Sequence, residues 1–255
     1  MHQHKATLFW RNRHPVSGHQ AFLLGIRGAV SPDVLPFFEQ RLRLLSDCSS
    51  WYVQSLPPFA TELPQGLTLD QCYSSRHFNR MAAAFRKAFQ VDLHEYNRLY
   101  PLAVRDLLAG RIWEETGYLN TKAVIRNNLP HPSVALYPLD PDYPQQFHLA
   151  VPLEFQLRQL HLLSKNPGSF RRQIRKQAAE LPLENPALIW RKTRVKMTGA
   201  ERQFFLAHNA ELVAKIQQST APAPVLFLIE AGRLGGGKGV LRGLKRVGWV
   251  TYPAK

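Results

Sequence analysis

Apolar residues recur along this chain with two different periods, and the change from one to the other divides it. Near the start, the run from Lys5 to Asn12 (KATLFWRN) is rich in Thr, Phe and Trp and stops before Pro15 and Gly18, which predicts a strand. His19 to Val30 carries Ala21, Phe22, Leu23, Leu24 and Ile26 in one block, read as a helix that Gly25 and Gly28 interrupt. A second helix follows, with Ser31 as N-cap, Pro32 in the first helical position, and Val34, Leu35, Phe38, Leu42 and Leu45 at helical spacing. Trp51 to Leu56 is the next predicted strand.

From Leu67 to about Leu181 helical periodicity takes over. Ser75 to Phe89 predicts an amphipathic helix with Phe78, Met81, Ala82, Phe85 and Phe89 on one face and Arg76, Arg80 and Lys87 opposite. Val151 to Leu163 predicts a further helix, and Ser169 opens another in which Arg171, Arg172, Arg175 and Lys176 fall within six residues. Tyr137 to Phe147 holds Pro138, Pro141 and Pro144 and predicts an irregular connection, because proline removes backbone donors. In the last third, Ala187 to Met197 predicts a strand with basic residues at 191, 192, 194 and 196. Thr198 and Glu201 form a capping box for a helix from Ala200 to Gln218. Pro224 to Glu230 predicts a buried strand, and Arg246 to Tyr252 its hairpin partner. Strands and helices so distributed predict an α+β, ferredoxin-like core built from residues 1–66 and 182–255, with residues 67–181 as a helical insertion.

Charge narrows the function. Thirty-three Lys and Arg against eighteen Asp and Glu give a net charge of +15, unusual for a metabolic enzyme and suited to a polyphosphate partner, RNA or DNA before a membrane surface. No run of eighteen apolar residues and no signal-peptide layout is present, so the expectation is a cytoplasmic chain with no membrane partner. Cys48 and Cys72 are too few and isolated for a disulfide framework or zinc cage, and His131, His148 and His161 too scattered for a ligand set. No metal or cofactor is expected.

The stretch from Ala231 to Tyr252 (AGRLGGGKGVLRGLKRVGWVTY) concentrates the candidate chemistry. It holds seven of the fifteen glycines together with Arg233, Lys238, Arg242, Lys245 and Arg246, and no acid. Glycine is concentrated where the backbone needs positive φ or a close approach to something bulky, and here the expected bulky group is an anion seated on backbone N–H groups. The other reading is a flexible basic connection between strands. A mononucleotide signature is absent, because neither Ser nor Thr follows Lys238. The basic helix faces, with Arg76, Arg80, Arg86 and Lys87 on one and Arg171, Arg172, Arg175 and Lys176 on the other, fit an RNA backbone or a solvated surface.

Two stretches carry a resemblance. HQAFLLGIRGAVSPDVLPFFEQ (His19 to Gln40) is similar to the first-helix region, and LGGGKGVLRGLKRVGWV (Leu234 to Val250) to the C-terminal glycine-rich loop, of CRISPR-associated RAMP-superfamily endoribonucleases that process crRNA. The helical insertion resembles the type IV variety most. A histidine that follows the first helices in many members is replaced here by Glu39 and Gln40.

The resemblance implies a metal-independent endoribonuclease. It would bind the repeat stem-loop of precursor crRNA, cleave it by 2′-hydroxyl attack to leave a cyclic phosphate, and stay on the crRNA beside other CRISPR effector-complex subunits. Such chemistry needs in-line positioning, proton transfer and cations for the phosphorane charge. Arg242 is the candidate for that charge, or for plain phosphate binding, with Lys238 and Lys245 beside it. His14 and His19 are the candidates for proton transfer, helped by Arg11 or Arg41. Arg233 and Arg246 complete the expected RNA contacts.

Two rival readings stand beside this one. Tyr73 to Leu99 (YSSRHFNRMAAAFRKAFQVDLHEYNRL) resembles the second helix-turn-helix of AraC-type regulators, with MAA at Met81 to Ala83 as an insertion and Gln90 at the turn glycine, which implies a DNA-binding protein. The other is an RNA-binding subunit that does not cut.

Overall fold

The computed structural model describes residues 8–55, 60–129, 134–179, 185–195, 197–218 and 223–254. Residues 5–7 of the first predicted strand, Leu56 of the second, and His131 lie outside that range. In chain order the elements begin with β1 (Phe9–Arg13), β2 (Gln20–Ile26), β3 (Ala29–Val30), α1 (Leu35–Arg43) and β4 (Ser50–Val53). There follow α2 (Ser75–Phe89), a 3-10 turn (Leu93–Tyr96), α3 (Pro101–Glu115), β5 (Leu119–Asn120), α4 (Thr121–Asn127), β6 (Ala135–Pro138), α5 (Tyr143–Ala150), α6 (Leu153–Lys165) and α7 (Pro167–Ala179). The last part contains α8 (Pro186–Val195), α9 (Gly199–Gln218), β7 (Val225–Glu230), α10 (Ala231–Leu234), α11 (Val240–Arg246) and β8 (Val250–Pro253).

The chain forms two compact units, one from residues 1–56, 120–141 and 181–255 and the other from 57–119 and 142–180. The first is mixed α/β around a six-stranded sheet of order β6-β4-β7-β2-β1-β8. The four strands β6, β4, β7 and β2 run parallel, whereas β1 is antiparallel to both β2 and β8. Strand β7 lies between β2 and β4, so the β2–α1–β4 crossover is split by a strand parallel to both.

That position explains the composition of β7. A parallel strand covered on both faces must be apolar throughout, and VLFLIE is buried at its first five positions. Val225, Phe227 and Ile229 point into a core with Leu212, Val213 and Ile216 of α9, Ile189 of α8 and Leu244 of α11. Leu226 and Leu228 point the other way, toward Phe38 and Leu42 of α1, Trp51, and Val124 and Ile125 of α4. Helices therefore cover the sheet on both sides.

Four local expectations are corrected. His19 to Val30 is not a helix: Gln20 to Ile26 form β2, and Gly25 sits where a Cβ would meet Leu234 Cδ1 at 2.9 Å and Leu8 Cβ at 3.0 Å. Ala187 to Val195 is not a strand: Asn185 Oδ1 accepts from the Ala187 and Leu188 amides and opens α8. Tyr137 to Phe147 is not irregular, since β6 and α5 occupy most of it. The strand at 250–253 pairs with β1, not with β7. The capping box is as expected, with Thr198 N donating to Glu201 Oε2 at 2.7 Å and Glu201 N to Thr198 Oγ1 at 3.2 Å.

The second unit is helical. Phe78, Met81, Phe85 and Phe89 of α2 pack with Val104, Leu108 and Ile112 of α3, Leu160 and Leu163 of α6, and Ile174 of α7. His148 of α5 is fully buried and stacked on Tyr100, with ring centroids 5.4 Å apart. Burial, with Arg105 nearby, pushes its imidazole down to about 4. A histidine held below its ordinary 6.5 contributes stability that is complete above pH 6.5 and is lost as pH falls toward the folded value. Acidification to pH 5 should therefore cost this unit about 2 kcal/mol, from about 1.4 kcal/mol per pH unit. Urea unfolding between pH 7 and 5 checks this, and His148→Phe should flatten the slope.

Candidate functional site

The glycine-rich stretch folds as two short helices, α10 and α11, and this changes what its glycines do. A Cβ on Gly235 would meet Pro186 O at 2.2 Å, and one on Gly239 would meet Gly235 O at 2.1 Å. Gly236 has φ +86° and lies where a Cβ would meet the Trp190 ring at 2.4 Å. Gly243 does the same against Val213 of α9, at 2.6 Å. The bulky group that Gly235, Gly236 and Gly243 admit is thus the protein's own α8 and α9, and Gly239 admits the backbone of Gly235. Backbone amides are also engaged, Gly239 N with Gly236 O at 3.1 Å and Gly243 N with Gly239 O at 2.9 Å. At Gly235, Gly236 and Gly243 the close approach expected of an anion is made by the protein's own helices.

What the packing leaves outside is cationic. Lys238, Arg242, Lys245 and Arg246 are exposed, and none forms an ion pair with a described residue. Arg242 and Lys245 line a pocket of about 340 Å³ with Trp10, Pro186, Leu241 and Thr251. Its lining is mostly apolar and includes two cations, a combination that suits a ligand with a flat ring and an anionic group.

Arg233 is different. It is fully buried, with Nη1 donating to Phe205 O at 3.1 Å and to Asn209 Oδ1 at 3.0 Å. Its Nε lies 3.5 Å from Glu230 Oε2, and its guanidinium stands 3.8 Å from the Phe205 ring centroid. The expected RNA contact is therefore a core residue that ties α10 to α9. Glu230, three residues before it, was the legible signal.

The expected catalytic residues are divided by the sheet. Side chains alternate along β1, so Trp10 turns to the face covered by α8, α9 and α11, and Phe9 to the face covered by α1 and α4. His14 lies beside Trp249, which belongs to the first core, with ring centroids 5.5 Å apart. Its Nδ1 accepts from Ser17 N at 3.2 Å. Arg11 turns the other way, lining an open groove with Phe9 and Phe22, and Arg41 sits on α1, which packs on that same side. His19 closes the β1–β2 turn, where His14 N donates to its carbonyl. Arg242 and His14 thus share a sheet face, and Arg11 and Arg41 belong to the other.

In the helical unit, α2 exposes Arg76, Arg80, Arg86 and Lys87, and α7 exposes Arg172, Arg175 and Lys176. Arg86 pairs with Asp92 at 2.8 Å. Arg171 pairs with Glu115 at 2.6 Å, donates to Ala88 O and covers the Phe89 ring, so it braces helices. Gln90 ends α2 at φ 54°, in the left-handed region the turn glycine would supply, but only a 3-10 turn follows before α3.

Two polar groupings have no sequence signal, because their members are far apart in the chain. At the carboxyl ends of β4 and β6, Ser55 N donates to Asp140 Oδ1, and Asp140 Oδ2 faces His208 Nε2 at 3.3 Å. Burial pushes the Asp140 carboxyl up to about 6 and the His208 imidazole down to about 3, so both are driven toward their neutral forms. In the helical unit, His77 Nε2 lies 2.6 Å from His161 Nδ1, one shared hydrogen bond between α2 and α6.

No helix among the described residues is long and apolar enough to cross a membrane. Compared with known proteins, the chain matches no family model, no curated protein and no solved structure.

Proposed function

We propose that this chain binds RNA and cleaves it without a metal ion, as a crRNA-processing endoribonuclease of the RAMP type that keeps its product. The observation that carries the reading is the set of exposed cations on α11, none of them in an ion pair with a described residue, with Arg242 and Lys245 lining the Trp10 pocket. The net charge of +15 supports a polyanionic partner. The split β2–α1–β4 crossover is in keeping with a ferredoxin-like core, whereas the parallel direction of β7 counts against its strict form.

On this reading the 2′-oxygen attacks the neighbouring phosphorus, the P–O5′ bond breaks, and a 2′,3′-cyclic phosphate and a 5′-hydroxyl result. Arg242 and Lys245 offset the added phosphorane charge, and His14, on the same sheet face, exchanges the proton through Nε2.

Labelled stem-loop RNA incubated in EDTA tests the proposal. A cyclic-phosphate product is expected, formed about 100-fold more slowly by Arg242→Ala, the loss typical of one removed charge-stabilising donor. Intact but retained RNA would leave the binding subunit in its place. Preference for duplex DNA would turn the assignment to the α2 helix-turn-helix.

A further inference from the structure

The sheet has a second exposed chemical surface, on the side away from Arg242. Across β2, β1 and β8 the register sets Phe22, Arg11 and Tyr252 in one row, and Gln20, Arg13 and Val250 in the next. Helices α1 and α4 cover the β4, β7 and β2 side of this face, but the row ends uncovered: Tyr252 is 47% exposed and Val250 43%. Phe22 is half-buried and stacked on Phe9 beside it on the same face, with centroids 5.8 Å apart, so its ring is braced from one side. Phe9, Phe22, Arg11, Arg13, Tyr252 and Leu44 line an open groove of about 600 Å³ that includes no acidic side chain among the described residues. Arg13 has no ion-pair partner among the described residues, and Arg11 is steadied by donating to Gln20 Oε1 at 2.8 Å.

A surface on which rings alternate with cations matches one polymer in particular. Strands lie about 4.8 Å apart, so the rings of one row stand about 10 Å apart with a guanidinium between them. An unpaired polynucleotide offers bases with free π-faces and a phosphate for each, whereas a duplex hides its base faces in the stack. We infer that the β2–β1–β8 face is a platform for an unpaired RNA segment, with bases on Phe22 and Tyr252 and phosphates on Arg11 and Arg13. This inference rests on the reading of the chain as an RNA binder. It also gives Arg11 a binding role in place of the catalytic one.

Fluorescence anisotropy of the full chain with labelled octauridylate, beside a blunt RNA duplex, tests it. Tyr252→Ala and Arg13→Glu should each weaken octauridylate binding about tenfold, the first by removing a stacking ring and the second by reversing a phosphate-binding charge. Tyr252→Phe should stay within about twofold of wild type, since the ring is kept. Duplex binding should not change in any variant. In the unmutated chain, a 4-thiouridine octamer should photocrosslink to peptides carrying Phe22 or Tyr252. Crosslinks confined elsewhere, or Tyr252→Ala and Arg13→Glu chains that bind octauridylate like wild type, overturn the inference. Duplex binding without octauridylate binding sinks this inference alone, whereas binding of neither RNA sinks the RNA reading as well. Self-association that Arg13→Glu abolishes, without octauridylate binding, would assign the face to a second copy and overturn it too.

Discussion

Arg233→Ala is expected to destabilise the sheet unit by about 4 kcal/mol, in the range for breaking a buried charge network from one side. The substitution strips Phe205 O and Asn209 Oδ1 of their donor, leaves Glu230 without its cation, and empties the space over the Phe205 ring. Asn209 also donates to Lys238 O at 3.1 Å, so the loss reaches the segment between α10 and α11. RNA affinity of the molecules that remain folded should be unchanged, because Arg233 has no exposed surface. Urea unfolding gives the first quantity and anisotropy with stem-loop RNA at low temperature the second. Normal stability with weakened RNA binding would contradict the core assignment.

Gly235→Ala should cost about 3 kcal/mol, at the upper end for overpacking, because the added Cβ meets the backbone of Pro186 and no side chain can swing aside. The melting temperature should fall by roughly 6–12 °C for a chain of this size. Gly237→Ala is the control. Its Cβ meets nothing within 4 Å, and its melting temperature should stay within about 1–2 °C of wild type, as for a surface change of at most 0.5 kcal/mol. Equal effects at both positions would mean that the glycines answer to backbone flexibility and not to contact between α10 and α8.

These two positions also show where sequence reading reaches its limit. The periodicity of α2 was legible because a helix on the side of a core has one apolar face, and Phe78, Met81, Ala82, Phe85 and Phe89 are the residues it buries. Strand β7 was legible for the opposite reason, a continuous apolar run too short for a helix. The run AFLLGI in β2 has the same character, but flanking glycines and length did not separate strand from helix. In α8 the capping Asn185 and Pro186 were the overlooked start signal, and basic residues at 191, 192 and 194 obscured the helical face. Glycine content showed that a close approach occurs near residue 235 but not to what. Only the fold reveals that the neighbours are α8 and α9.

Candidate chemistry was legible in part. The exposure of Arg242, Lys238, Lys245 and Arg246 follows from their spacing on and beside α11, but the sheet that divides Arg11 from Arg242 is set by strand alternation and β8 pairing. Asp140 and His208 meet through elements 68 positions apart, and nothing local to either announces the other.

The placement of β7 bears on how the chain is made. The strand that fills the middle of the sheet is synthesised after both of its neighbours, and until it is inserted β2 and β4 lack the neighbour they share. The helical unit is complete by residue 180, well before this happens. During translation the early strands therefore wait with open hydrogen-bonding edges, the condition under which chains cross-pair with one another, and chaperone demand should centre on the interval before residue 230 leaves the ribosome.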